Sequence, residues 1–78
     1  MDFNQRVGEL LRKSRLAQNM TQEELHERTG IKSYYISRIE NGKLDIRLRT
    51  LSKLANGLGI RMSDLFLQLE TKEQITNQ

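Results

Sequence analysis

The chain has 78 residues, of which 36% are hydrophobic and 29% charged, with no cysteine, no proline and a formal net charge of +3. That length allows one small domain held by side-chain packing, because a chain without cysteine can form neither a disulfide framework nor a thiolate metal cluster. The lone His26 cannot supply the constellations that metal or nucleophilic catalysis needs, so we expect no enzyme, metal or other cofactor; apolar runs are too short to span a bilayer and no leader pattern opens the chain, so a cytoplasmic protein is expected.

Phe3, Val7, Leu10, Leu11 and Ala17 recur near the helical period and predict a first helix over about residues 3–18, with Asn19 as its stop. Thr21-Gln22-Glu23-Glu24 fits a capping box, in which the threonine hydroxyl and the third following glutamate satisfy each other's backbone donors. A short second helix therefore begins there and reverses at Gly30. A third helix is expected over Ser33 to Glu40, with Ile36 and Ile39 inward and Asn41-Gly42 as its end. Leu48, Leu51, Leu54, Ala55 and Leu58 predict a fourth helix closed by Gly59, in which Gly57 costs about 1 kcal/mol relative to alanine. A fifth covers roughly Met62 to Glu70, with Leu65, Phe66 and Leu69 as its apolar side. No strand alternation or repeat is visible. The expected architecture is all-α: a five-helix domain over residues 1–70 followed by a polar, frayed tail over 71–78.

Charge is unevenly spread. Between Lys32 and Arg61 there are seven basic residues against Glu40 and Asp45, a balance of +5, which leaves −2 for the remainder. Such polarity suits a segment laid against a polyanion, although a solvated basic face accounts for it equally well.

Two short helices joined at Gly30, the second followed by Asn-Gly, make a helix-turn-helix pattern. The run TQEELHERTGIKSYYISRIENGK, with VGELLRKSR before it and LRTLSKLANGLGIRMSDLF after it, resembles the phage-repressor and Cro-like helix-turn-helix family, also called the XRE family. The resemblance spans about Val7 to Phe66 and implies a five-helix DNA-binding domain with its third helix in the major groove. By position it makes Ser33, Tyr34 and Arg38 base-reading residues with Ser37 between them, and Tyr35 a backbone contact. The chemistry agrees, since arginine can grip guanine O6 and N7 together and a tyrosine can meet a thymine methyl. Packing is the competing role for Tyr34 and Tyr35. Gln22, at a helix N-terminus, is expected to bond a phosphate or the third helix, and Lys32, Asn41, Lys43, Arg47 and Arg49 to hold further phosphates.

The resemblance also implies a salt bridge between Arg15 and Glu40, the alternative being two unconnected surface charges. Three departures stand out. His26 occupies a position usually held by alanine at the crossing of the two motif helices; we expect a partly exposed imidazole there. Lys32 replaces a small capping residue, which shifts capping to Ser33, and the loop Leu44 to Arg47 lacks a proline.

The resulting expectation is a homodimeric, sequence-specific repressor that binds double-stranded DNA at an inverted repeat. One recognition helix reads too few base pairs to find a site alone, and Leu67 near Met62 on the fifth helix offers an apolar contact for a second copy. A restriction-modification controller or an antitoxin are the alternatives, the latter disfavoured because only about eight residues follow the domain. Glu23 and Glu27 occupy positions that touch RNA polymerase in activating family members, although service to the helix dipole and solubility accounts for them as well.

Overall fold

The structure is a computed structural model that describes residues 2–76, with side chains over 2–70. Its elements are α1 (Phe3–Ala17), α2 (Gln22–Thr29), α3 (Ser33–Glu40), α4 (Leu48–Leu58) and α5 (Met62–Thr76), with no strand among the described residues. The expected boundaries hold closely for the first four. α5 runs beyond the expected Glu70, and the frayed tail expected over 71–78 falls outside the residues whose side chains are described.

Local chemistry sets these ends. Thr21 and Glu24 make the expected capping box at 3.0 and 2.9 Å. A second box, which the sequence reading missed, joins Asp2 and Gln5 at 2.8 and 2.9 Å and starts α1. Asn19 adopts the left-handed region at φ 55° just past α1, a conformation asparagine tolerates better than most residues. Ser33 does not cap α3. The cap position is Lys32, whose side chain makes no capping bond, and Ser33 is already helical.

The core is built from Val7 and Leu11 of α1, Met20, Leu25 of α2, Ile36 and Ile39 of α3, Leu51, Leu54 and Leu58 of α4, and Leu65 and Leu69 of α5. Four residues expected on apolar stripes are exposed instead: Phe3, Ala17, Leu48 and Phe66. Phe3, Ala17 and Leu48 are the terminal residues of their helices. Leu65 and Leu69, one turn apart, take the inward stripe of α5, and Phe66 is rotated by about 100° from Leu65.

α1 packs on α3, α4 and α5, while α2 packs on α3 and α4. Two glycines permit the closest approaches. A Cβ at Gly8 would overlap the carbonyl oxygens of Ile39 and Glu40, so α1 meets the end of α3 backbone to backbone. A Cβ at Gly57 would lie 2.5 Å from Thr29 Cγ2, so α4 lies directly on α2. The propensity cost of Gly57 is thus set against helix packing.

Candidate nucleic-acid interface

The inner face of α3 is anchored by Ile36 and Ile39, each about 1–2% exposed, and this fixes what the outer face presents. Ser33, Tyr34, Ser37 and Arg38 fall one turn apart in pairs, so they share one stripe of the helix. Tyr34 is 68% exposed and Arg38 is exposed, while the two serines are half-buried beside them. Tyr35 is also exposed, and its ring centre lies 6.1 Å from that of Tyr34. Neither tyrosine is a core residue.

Beneath this face lies a buried polar network. Arg15 Nε donates to Glu40 Oε2 at 2.7 Å and Nη2 to Oε1 at 2.9 Å, while Nη1 donates to the Met20 carbonyl at 2.7 Å. The hydrogen bond to Glu40 is the main influence holding the Arg15 guanidinium pKa above its ordinary value, against burial. Gln22 Nε2 donates to the same Oε1 at 3.1 Å. Gln22 thus engages the third helix, one of the two partners expected for it. The network ties α1, the start of α2 and the end of α3 together, and so fixes the orientation of α3 from two sides.

The turn between the motif helices is secured separately. Gly30 takes φ 77°, and its N–H donates to the His26 carbonyl at 2.7 Å. His26 Nδ1 lies 2.9 Å from the Ile31 carbonyl oxygen. The half-buried imidazole therefore spans the turn, and the bulk that replaces alanine becomes a tie across it.

Asn41 donates from Nδ2 to the Ser37 carbonyl at 2.8 Å, which completes the end of α3. Lys32, Lys43, Arg47 and Arg49 are all exposed. Lys43 and Arg47 flank Asp45 in the irregular segment between α3 and α4, and Asn4 Nδ2 donates to Asp45 Oδ1 at 2.6 Å. The roles of Asn4 and Gly8 were not read from the sequence; a polar residue in a first helical turn and a glycine inside a helix were the signals present. No group of three or more metal-ligating side chains occurs among the described residues, nor does any helix there have the length and apolarity to cross a membrane.

A five-helix array with a polar stripe on its third helix defines a class, and comparison with known proteins agrees. A helix-turn-helix family model matches residues 11–65. The control protein C.MunI of a Mycoplasma species is 37% identical over 70 residues, covering 88% of this chain and 95% of that protein. The uncharacterized HTH-type transcriptional regulator y4dJ of Sinorhizobium fredii is 34% identical over 65 residues, covering 83% of this chain and 84% of its own length. Among solved structures, the restriction-modification controller protein C.Esp1396I, seen as a tetramer on its natural 35 base-pair operator, superposes with a TM-score of 0.82 at 28% identity, covering 91% of this chain and 95% of that one. The chain belongs to the helix-turn-helix family of DNA-binding transcriptional regulators.

Proposed function

We propose that this protein is a controller-type regulator without catalytic activity that binds an inverted-repeat operator as a homodimer and represses by occluding a promoter. The observation that carries the reading is the exposed stripe of α3, with Tyr34 and Arg38 outward above Ile36 and Ile39. Ser33, Tyr34, Ser37 and Arg38 read base edges, and Arg38 makes the main discriminating contact. Lys32, Tyr35, Lys43, Arg47 and Arg49 hold phosphates, while Gln22 and Asn41 contribute from positions already bonded within the fold. The likeness to a controller protein seen on its operator supports this choice within the class.

A second copy docks on α5. Leu67 is 61% exposed and Phe66 beside it is exposed, whereas Met62 is half-buried against the core. The proposed contact thus centres on Leu67 and Phe66, with Met62 at its edge. Glu23 and Glu27 stand exposed one turn apart on α2, the arrangement that contact with RNA polymerase would use. Glu27→Lys tests that contact: transcription should change while DNA occupancy holds, and a change of both in step excludes it.

The test of the DNA reading compares selected operator sites with random duplex at several salt concentrations. Arg38→Ala should weaken the selected site by about 1 to 3 kcal/mol per half-site and leave random DNA nearly unchanged. Lys43→Ala should weaken both and reduce the salt slope by about 1. Equal losses on both DNAs for Arg38→Ala would make it a phosphate contact, and an unchanged slope for Lys43→Ala would place that side chain off the DNA.

A further inference from the structure

The segment between α3 and α4 carries the basic residues Lys43 and Arg47, yet Asp45 stands between them. A carboxylate there opposes phosphate binding, so its presence calls for another purpose. Exposure alternates along the segment: Lys43, Asp45 and Arg47 face outward, while Leu44 and Ile46 are half-buried against the core. The acid and the two cations therefore share one edge. The edge is tied to the helices only at its two ends, where Lys43 N–H donates to the Arg38 carbonyl and the Arg47 carbonyl accepts from Leu51 N–H, both at 2.9 Å, and Arg47, at the start of α4, makes no side-chain cap.

We propose that Asn4 and Asp45 are positioning residues, forming a latch that holds Lys43 and Arg47 in register for DNA phosphates. The proposal rests on the DNA-facing reading of this segment given above. The contact is a charge-assisted hydrogen bond of 2.6 Å between residues 41 apart in the chain. A second observation places the segment against the same turn of α1. Gly42 has φ 68°, and a Cβ there would lie 2.6 Å from Gln5 Cγ and 2.9 Å from Gln5 Cα. The turn that carries Asn4 and Gln5 is itself closed by the Asp2–Gln5 capping box. α1 is in turn fixed on α3 through Gly8 and through Arg15 with Glu40. Lys43 is joined to the recognition helix by its own backbone bond to Arg38, and the first turn of α1 adds the second support, holding Asp45 and the stretch toward Arg47. Asn4 also occupies one oxygen of the carboxylate, so the latch holds Asp45 in a fixed place between the two cations.

The test measures binding of a short random-sequence duplex across a salt series, with amide exchange over residues 43–47 in the free protein. Asp45→Asn and Asp45→Ala both remove the charge, but only the first keeps an acceptor for Asn4. Asp45→Asn should bind more tightly than wild type, and Asp45→Ala about two- to tenfold more weakly than Asp45→Asn. Asn4→Ala should lose a similar factor and speed exchange over 43–47, and the double variant Asn4→Ala/Asp45→Ala should lose no more than Asp45→Ala alone. Equal gains for Asp45→Asn and Asp45→Ala, with Asn4→Ala unchanged, overturn the latch and leave Asp45 a repelling surface charge. If exchange speeds in Asn4→Ala while Lys43→Ala and Arg47→Ala bind like wild type, the latch exists but the segment is off the DNA, and the positioning role fails with the reading beneath it.

Discussion

Arg15 and Glu40, 25 residues apart, form a two-bonded ion pair that is nearly excluded from solvent, with 9% and 2% of their side chains exposed. Removing one partner strands the other charge inside the protein. Arg15→Ala or Glu40→Ala should therefore cost about 3 to 5 kcal/mol, far more than the 1 kcal/mol or so of an exposed pair. Arg15→Met combined with Glu40→Leu removes both charges and should be more stable than either single variant. Urea unfolding measures all of them, and single-variant losses below about 1 kcal/mol would show the pair to be effectively solvated.

Gly8→Ala separates helix propensity from packing. Alanine favours a helix by about 1 kcal/mol over glycine, yet the added methyl meets the backbone oxygens of Ile39 and Glu40, which cannot rotate away. We expect a net loss of about 1 to 3 kcal/mol and a lower melting temperature. At Gly57 the obstacle is the methyl of Thr29, so Thr29→Ser should recover part of the loss caused by Gly57→Ala. A gain in stability for Gly8→Ala would mean that α1 and α3 have room to separate freely.

Thr21→Ala should destabilise the domain by about 1 kcal/mol through loss of the α2 cap. The Glu24 carboxyl is held below its ordinary value of 4.5, first by the Thr21 backbone N–H and then by the Thr21 hydroxyl. Because the folded value is the lower one, the stabilisation is complete above the ordinary value and is lost as pH falls through the folded value. NMR titration should show the Glu24 midpoint rising in Thr21→Ala, and an unmoved midpoint would remove the hydroxyl from its environment.

Leu67→Glu places a charge on the proposed contact of α5. Sedimentation should show a shift from dimer to monomer, and operator binding should become more steeply dependent on protein concentration. A variant that stays dimeric with wild-type affinity locates the interface elsewhere on the surface. Helical content by circular dichroism should match wild type, since Leu67 lies outside the core.

Helix order and most helix ends were legible in the sequence, because they rest on neighbours within a few positions. The Thr21 and Glu24 box, Gly30, Asn41-Gly42 and Gly59 act locally, and the spacing of Ile36 and Ile39 fixes which side of α3 faces out. The Arg15 and Glu40 pair was reached through family resemblance, since nothing in the spacing alone brings those two together. Tertiary structure alone decided the partners that converge across the chain: the choice of Glu40 as the residue that Gln22 meets on the third helix, Gly8 beneath the end of α3 and Asn4 on Asp45. It also decided which apolar stripe residues stay outside, as with Leu48 and Phe66, because periodicity gives the direction of a side chain but not whether another helix lies in that direction.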